Sequence, residues 1–201
     1  MESNAYDLLL PLAPWADSEE LTACLNSIGA QTLAPREIVV TVDGPLPQPL
    51  RAALDTTGTP LRVIEAPCWR GLGPVLADGL RQCHAAIVIR IDADDISLPE
   101  RCATQVAYLR QHPEVAVVGS QLGEFVESSH QLLGTRTVPL TPREVRRFAQ
   151  WRNPLNHPTV ALRRQAVLAV GNYSDHPGFE DWELWLRLLR RGEAIANLPE
   201  T

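Results

Sequence analysis

Three carboxylates within four residues are the part of this sequence best suited to chemistry. Asp92, Asp94 and Asp95 follow residues 85–91, a short apolar run rich in β-branched side chains that is typical of a buried strand in a parallel sheet. Ligands of open α/β sheets bind at the carboxyl ends of the strands. Because clustered carboxylates repel one another, the pattern favours a hard divalent cation that in turn holds phosphate oxygens. A solvated acidic turn is the alternative for this segment taken alone.

Asp43 is a fourth carboxylate predicted at the same edge of the sheet. It ends a second predicted strand, residues 37–42, just before the turn signal Gly44-Pro45. A carboxylate at this edge accepts hydrogen bonds from a base or a ribose hydroxyl, and an ordinary β-turn residue is the alternative. Gly71 opens a predicted helix and would let the backbone approach a ligand. Without the full G-x-G-x-x-G, however, the pattern favours helix capping and close packing.

Asp181 is the candidate general base. It follows Glu180 at the start of a predicted helix, residues 179–191, and a carboxylate held rigidly at a helix N-terminus is suited to taking a proton. For the segment taken alone, ordinary charge stabilisation of a helix N-terminus is the favoured alternative. Four apolar residues share one stripe of this helix and are predicted to anchor it in the core: Trp182, Trp185, Leu186 and Leu189.

Asn156 and His157 lie in a stiff polar loop. Pro154 and Pro158 restrict the backbone just before a predicted strand, residues 159–162. Loops of this kind at strand ends often hold substrate, so both side chains are candidates for binding. For His157, a structural histidine with satisfied hydrogen bonds is the alternative.

These residues must be positioned by alternating strands and helices. The first ninety residues follow that pattern, which predicts βαβ units and a parallel, doubly wound sheet. Residues 119–138 are less regular and predict an antiparallel excursion built from residues 124–126 and 135–138. Further strands are predicted at residues 8–12, 61–64 and 115–118, and helices after Asp17, at residues 50–54, and after Gly71, Leu98 and Thr141.

Composition predicts one well-cored domain spanning residues 1–201. The formal net charge is −6 and no long run of Lys or Arg is present, which argues against a nucleic-acid partner. The four cysteines form no CxxC pair, so they indicate neither a zinc site nor a disulfide framework, and they suggest a reducing compartment. The N-terminus lacks the basic segment of a secretory signal, and no apolar stretch approaches the roughly 20 residues that span a bilayer.

The chain resembles family 2 glycosyltransferases with the GT-A fold, most of all the bacterial branch that builds exopolysaccharide, O-antigen and capsule. The resemblance covers essentially the whole chain, and the D-x-D segment together with Glu-Asp-Trp makes it specific. It implies a Rossmann-like α/β fold of the nucleotide-diphospho-sugar transferase type, with a mixed, mostly parallel sheet flanked by helices. The matching segments are residues 27–32, 37–45, 90–95, 98–101, 153–160, 179–186 and 197–200.

The resemblance also implies roles for the candidate residues. The donor would be a nucleotide-diphosphate sugar, and the acceptor a hydroxyl of a growing cell-surface polysaccharide or lipid-linked glycan. Transfer would invert the anomeric centre, which needs one base and one metal but no enzyme nucleophile. The implied residues are Asp92 and Asp94 for Mg²⁺ or Mn²⁺ and the diphosphate, with Asp95 beside them; Asp43 for the base or ribose and Gly71 on the donor side; Asp181 as catalytic base; and Asn156, His157 and Glu180 on the acceptor side.

Several positions depart from the family pattern. Trp69 and Asp78 lie where many relatives have Asn, near the nucleotide side of the implied site, and residues 13–15 replace the usual small polar end of the first strand. The chain stops at Thr201, where relatives usually continue with another strand and helix, so we expect it to be shortened at its C-terminus. The family implies a cytoplasmic location, with the inner face of the membrane reached through the acceptor.

Two other functions stay open on sequence alone. A sugar nucleotidyltransferase would also use an α/β sheet and a metal-held diphosphate, but its Gly-rich basic signature is missing, since residues 8–21 contain no Lys or Arg. A non-catalytic nucleotide-sugar-binding module would keep the same pocket without turnover. Binding of nucleoside diphosphates with and without Mn²⁺, followed by product analysis, separates these functions.

Overall fold

The computed structural model describes residues 6–126 and 131–200, so Thr201 lies outside the described part. A single 3₁₀ turn, His157–Thr159, precedes the eighth strand. The elements in chain order are β1 (Asp7–Leu12), α1 (Ser18–Gly29), β2 (Glu37–Val42), α2 (Gln48–Leu54), β3 (Leu61–Glu65), α3 (Leu72–Gln82), β4 (Ile87–Arg90), α4 (Arg101–Gln111), β5 (Val115–Ser120), β6 (Leu122–Val126), β7 (Gln131–Arg136), α5 (Pro142–Phe148), β8 (Ala161–Arg163), α6 (Arg164–Ala169), α7 (Glu180–Arg191) and β9 (Ala194–Leu198).

Seven strands form one sheet in the order β3-β2-β1-β4-β8-β5-β9. β1 pairs in parallel with both β2 and β4, and β5 pairs in parallel with β9. β8 alone in this sheet is antiparallel to its neighbours, β4 and β5. The predicted α/β architecture with a mixed, mostly parallel sheet is therefore confirmed. β6 and β7 form a separate antiparallel hairpin.

Helices cover both faces of the sheet because its strands are nearly continuous apolar runs. Every residue of β1 and β5 is buried, as expected for parallel strands with helices on two sides. Successive side chains of β1 enter opposite cores, since strand side chains alternate. Leu8 packs in the core that holds Leu21 of α1, whereas Leu9 packs with Leu76 of α3 and Trp185 of α7.

The direction of β8 decides which polar segments meet. Ala161, at the start of β8, pairs with Ile89 near the end of β4. Because the two strands are antiparallel, the loop that leads into β8 opens on the same edge as the carboxyl end of β4. Residues 153–160 and residues 92–95 therefore share one edge of the sheet.

Three predicted helix ends are confirmed by their capping contacts. Asp17 accepts hydrogen bonds from two backbone amides in the first turn of α1. Thr141 and Glu144 form the reciprocal capping box of α5. Gly192 ends α7 in the left-handed conformation, with φ 94°.

The apolar stripe that anchors α7 contains two of the four predicted residues, Trp185 and Leu189. Trp182 and Leu186 are only partly buried, because the face of the helix that packs on the sheet is centred on Leu184 and Leu188. Trp182 lies at the margin of this contact, where its Nε1 donates to a backbone carbonyl of the residue after α5 at 3.0 Å. The buried residues of α7 are Glu180, Asp181, Leu184, Trp185, Leu188 and Leu189.

Several short elements also differ from the prediction. β7 occupies Gln131–Arg136 and not residues 135–138, because its bounds are set by pairing with β6. The strand predicted at residues 159–162 begins later, as β8, because the amide of Thr159 donates to the Asn156 carbonyl oxygen within the 3₁₀ turn. α6 and β9 were not predicted, because both are short and depend on contacts distant in sequence.

None of the described helices is long and apolar enough to cross a membrane. All four cysteines carry free thiols, and three of them are buried: Cys24, Cys83 and Cys102. This burial is typical of cysteines that pack as small apolar side chains.

Candidate active site

The carboxyl ends of β1, β2 and β4 surround a cavity of about 640 Å³, here called the edge cavity. Asp43 follows β2, and Asp92 and Asp94 follow β4, so three of the predicted carboxylates line this cavity together with Gly71. Trp15, from the loop after β1, and Trp69 line it as well, and they are 72 % and 67 % exposed. The edge cavity thus combines acidic groups with two accessible aromatic rings.

The carboxylate cluster, defined as Asp92, Asp94 and Asp95, fits a divalent cation. One side-chain oxygen from each residue lies within 4.8 Å of the others. Burial raises the pKa of Asp95 to about 6, and the negative charges of Asp92 and Asp94 add to the shift. Oxygen donors at this spacing suit Mg²⁺ or Mn²⁺, whose charge would relieve the repulsion.

Part of this negative charge is neutralised from inside the protein. Arg90, the last residue of β4, is only 2 % exposed, and both of its terminal nitrogens contact the Asp92 carboxylate. Its Nη1 donates to Asp92 Oδ2 at 2.7 Å. Burial raises the pKa of Asp92, the Arg90 charge lowers it, Asp94 raises it again, and the net shift is upward. The sequence suggested a bound cation as the neutralising charge, but the structure shows that Arg90 also neutralises part of the cluster. Asp94 is the most exposed member of the cluster.

Asp43 joins β2 to the start of α3. Its two carboxylate oxygens accept hydrogen bonds from the backbone amides of Arg70 and Gly71, at 2.7 and 2.8 Å. Each oxygen keeps a further lone pair for a ligand in the edge cavity. Gly71 has φ +90°, a conformation that other residues adopt only with strain, so this turn depends on glycine.

Asp181 is held in one orientation at the N-terminus of α7. Asn153 Nδ2 donates to Asp181 Oδ2 at 2.5 Å, and the amide of Trp182 donates to Oδ1 at 2.6 Å. The side chain is 11 % exposed. The loop before β8 therefore fixes the carboxylate of α7, and a hydroxyl that reached Asp181 would find an oriented proton acceptor.

His157 is a largely buried neighbour of Asp181. Its Nδ1 lies 3.9 Å from Asp181 Oδ2, and its Nε2 lies 3.2 Å from the Tyr173 hydroxyl. The ring also meets Trp185 edge-on, with the ring centres 5.9 Å apart. Burial holds the pKa of His157 well below its usual value, and the nearby Arg90 charge adds to the effect. The contact with Asp181 is thus polar and not an ion pair.

Glu180, the first residue of α7, packs against the first turn of α3. One of its carboxylate oxygens lies within 4.8 Å of a ring nitrogen of His157 and of a carboxylate oxygen of Asp181. A Cβ placed on Gly73 of α3 would lie 3.2 Å from Glu180 Cβ and 2.1 Å from the Ser174 carbonyl oxygen. The absence of a side chain at Gly73 therefore lets the acidic end of α7 approach the helix that lines the edge cavity.

The side-chain amide of Asn156 donates hydrogen bonds to the backbone. It is 1 % exposed, and its Nδ2 donates to the carbonyl oxygens of Ser120 and Arg136, at 3.0 and 3.2 Å. These bonds tie the loop before β8 to the end of β5 and to β7. Contact between Asn156 and an acceptor stays a prediction.

The site contains three further residues to which the sequence analysis gave no role: Arg90, Asn153 and Tyr173. Arg90 offered a signal, because a charged residue within an apolar strand must be paired when it is buried. Asn153 shares the proline-rich loop with His157, but its partner lies 28 residues away. Tyr173 has no local pattern that predicts a contact with His157.

Comparisons with known proteins agree with this geometry. The sequence profile of "Glycosyl transferase family 2" matches residues 16–171. The amylovoran biosynthesis glycosyltransferase AmsE of Erwinia amylovora is 37 % identical over 197 residues, which cover 97 % of this chain and 73 % of AmsE. An Escherichia coli enzyme named UDP-Gal:alpha-D-GlcNAc-diphosphoundecaprenol beta-1,3-galactosyltransferase is 30 % identical over 174 residues, which cover 86 % of this chain and 63 % of that enzyme.

A solved structure shows the same fold. The mannosyltransferase PcManGT of Pyrobaculum calidifontis, in complex with GDP-Man and Mn²⁺, superimposes with a TM-score of 0.71 at 18 % identity. The likeness covers 96 % of this chain and 54 % of that protein, so the chain spans about half the length of the solved structure. At this level of identity the likeness concerns the fold, and it confirms the predicted GT-A architecture.

Proposed function

The chain belongs to glycosyl transferase family 2, and on that premise we propose that it moves a sugar from a nucleotide-diphosphate donor to an acceptor hydroxyl with inversion. The observation that carries the proposal is the shared edge of the sheet. Asp43, Asp92 and Asp94 line one cavity there, and Asp181 is held nearby on α7, which packs against α3. Family membership argues against the nucleotidyltransferase alternative.

On the donor side, we assign the nucleoside to Asp43 and the diphosphate to the carboxylate cluster. The free lone pairs of Asp43 suit a base or ribose hydroxyl, and Gly71 keeps the neighbouring backbone free of a side chain. Trp15 and Trp69 supply apolar rings against which a planar base can stack. Which base and which sugar bind depends on the loops that carry Trp15 and Trp69.

Asp92 and Asp94 are the residues that would hold Mg²⁺ or Mn²⁺, with Asp95 beside them. A cation bound there supplies positive charge to the departing diphosphate. Arg90 fixes Asp92 from the buried side of β4, so Asp94 is the carboxylate most available to an incoming ion. The spacing of the cluster supports this assignment, as does the Mn²⁺ and GDP-Man complex of PcManGT.

Asp181 is assigned as the base. It accepts the proton of the acceptor hydroxyl while the hydroxyl oxygen forms a bond to the anomeric carbon and the bond to the diphosphate breaks. The electron pair of the broken bond leaves with the diphosphate. Asn153 orients Asp181, and Glu180 is the rival for the role because it lies in the same cluster. A single displacement inverts the anomeric configuration.

The acceptor is proposed to be a lipid-linked glycan in cell-surface polysaccharide biosynthesis. Support comes from the names of two relatives, one in amylovoran biosynthesis and one acting on a diphosphoundecaprenol-linked sugar. His157 and Glu180 lie beside Asp181 on the proposed acceptor side, and Asn156 shapes the loop. We propose that the chain acts in the cytoplasm and meets the inner face of the membrane through this acceptor.

The metal assignment is tested by thermal shift with a panel of nucleoside diphosphates, with and without Mn²⁺. A ligand that binds the folded state raises the melting temperature, and we expect one diphosphate to do so only when Mn²⁺ is present. Asp94→Ala should lose this Mn²⁺-dependent shift while keeping the melting temperature of the free protein. An undiminished shift in Asp94→Ala would reject the metal assignment.

The donor and activity assignments need two further observations. In a complex with the diphosphate found by the thermal-shift panel, the base or ribose should lie within hydrogen-bond distance of Asp43. A nucleoside bound at another edge of the sheet contradicts that assignment. Product analysis then separates a transferase from a binding module, since a module would bind the donor but form no new glycoside.

A further inference from the structure

We propose that a second cavity, the hairpin groove, binds the hydrocarbon chain of the acceptor. The groove has a volume of about 420 Å³ and lies between the β6–β7 hairpin and residues 95–98. This inference rests on the proposed transferase function and adds the place where the lipid part of the acceptor lies.

The groove exposes hydrocarbon side chains that a folded protein ordinarily buries. Ile96, Leu98 and Leu132 line it and are 44 %, 55 % and 62 % exposed, and Leu122 and Phe125 of β6 complete its apolar wall. Contiguous exposed apolar surface of this kind marks an interaction site. The ligand that matches it is itself apolar.

Most polar side chains of the groove are already engaged within the protein. Arg101 donates to Ser97 Oγ and to two backbone carbonyl oxygens, each at 2.7–2.8 Å. Thr159 Oγ1 accepts from the Ser120 amide at 2.9 Å, and Gln121 bonds both the amide and the carbonyl of Val138. A sugar buried in the groove would find these partners occupied. This arrangement favours a hydrocarbon chain over a glycan.

The groove adjoins both halves of the candidate active site. Asp95 lines the groove, whereas Asp92 and Asp94 line the edge cavity, and one tight turn with an Asp95 N to Asp92 O bond of 3.3 Å separates them. On the other side, Pro158 lines the groove directly after His157, the neighbour of Asp181. An acceptor whose sugar reaches the active site can therefore extend its lipid into the groove.

A bulge in the hairpin provides a matched pair of leucines. Phe125 pairs with Leu132, whereas Glu124 pairs with Gly134, so Leu133 is the extra residue of β7. Leu132 lines the groove; Leu133 does not, although it is 67 % exposed. The same substitution at these adjacent positions thus separates the groove from the general surface of the hairpin.

The test is calorimetry with dodecyl phosphate below its micelle concentration, without donor or metal, and with methyl phosphate as the headgroup control. Each methylene buried contributes up to about fourfold in affinity, so the parent should bind dodecyl phosphate and ignore methyl phosphate. Leu132→Asp should weaken dodecyl phosphate binding at least about tenfold, and Leu133→Asp should bind like the parent. Ile96→Asp on the opposite wall should reproduce the loss.

Equal binding by the parent and Leu132→Asp, or equal losses in Leu132→Asp and Leu133→Asp, would overturn the proposal. So would a parent dimer that Leu132→Asp converts to a monomer, because the groove would then join two copies of the chain. Binding of dodecyl phosphate uses no donor and no turnover, so its outcome is independent of the transfer assay. If the chain binds dodecyl phosphate in the groove but transfers no sugar, the groove stands and the proposed function fails.

Discussion

Gly73 is the position where one methyl group should damage both stability and the candidate active site. A Cβ there would lie 2.1 Å from the Ser174 carbonyl oxygen, a backbone atom that cannot rotate away. An ordinary contact of 3.4 Å requires α3 and the segment before α7 to separate by about 1.3 Å. Overpacking costs about 1–3 kcal/mol or more, and the higher helix propensity of alanine returns at most about 1 kcal/mol. We therefore expect Gly73→Ala to lower the free energy of unfolding by about 2 kcal/mol.

Two other glycines provide graded controls. Gly79→Ala meets only the ends of the Leu9 and Thr41 side chains, at 2.4 and 2.6 Å, which can shift, so its cost should be smaller. Gly29→Ala in α1 meets nothing within 4 Å and should stabilise the protein by about 0.5–1 kcal/mol. Thermal and urea unfolding should show Gly73→Ala as the least stable of the three variants, Gly79→Ala as intermediate and Gly29→Ala as the most stable.

The same displacement should reach the chemistry. Glu180 Cβ would lie 3.2 Å from the new methyl group, so the end of α7 that carries Asp181 should move with it. A misplacement of about 1 Å can cost about 100-fold in rate, and we expect turnover to fall by roughly 10- to 100-fold in Gly73→Ala. A Gly73→Ala protein as stable and as active as Gly29→Ala would refute the packing argument.

Three further predictions concern charged and polar groups. Burial raises the pKa of Asp7, but hydrogen bonds from Arg36 and two backbone amides outweigh it and hold the pKa low. Asp7→Asn should therefore cost about 1–3 kcal/mol at pH 7 in urea unfolding. The difference from the parent should begin to narrow below about pH 4, near the pKa of Asp in an unfolded chain, and should vanish only at lower pH, as Asp7 of the folded parent takes up a proton. Arg90→Met should lower the free energy of unfolding of the metal-free protein by about 1–3 kcal/mol, and Mn²⁺ should partly restore it; an unchanged unfolding midpoint would contradict the pairing of Arg90 with Asp92. Asn153→Ala should lower turnover without weakening Mn²⁺-dependent donor binding, because it acts by orienting Asp181; equal losses in both would point to a general structural role.

The sequence predicted the elements that local patterns encode. The apolar, β-branched runs of β1, β2 and β4 identify buried strands, and the carboxylates that follow β2 and β4 meet because parallel strands end at one edge. Caps at Asp17, Thr141 and Gly192 marked helix ends, because each uses short-range chemistry. The location of the edge cavity therefore followed from local signals and one topological rule.

The contacts that complete the site depend on long-range packing. The antiparallel direction of β8 brings residues 153–160 to the sheet edge that carries residues 92–95. Residue propensities for β-structure do not encode strand direction. Asn153 meets Asp181 only because of that direction. The buried stripe of α7 shifted toward Leu184 and Leu188 because the sheet selects which face of an amphipathic helix it receives. Arg90 is the exception. A charged residue within a predicted buried strand needs a partner, so the sequence alone could have predicted its pairing with the adjacent D-x-D segment.

The most direct test of the account is a split between binding and turnover in Asp181→Asn. This change keeps the shape of the side chain and removes its basicity. Turnover with the true acceptor should fall by about 10²–10⁴, the usual range for loss of a general base, while Mn²⁺-dependent binding of the nucleoside diphosphate stays at the parent level. Glu180→Gln, measured beside it, should keep most of the activity. Turnover by Asp181→Asn near the parent rate, or an equal loss of donor binding, would contradict the assignment of Asp181 as the base.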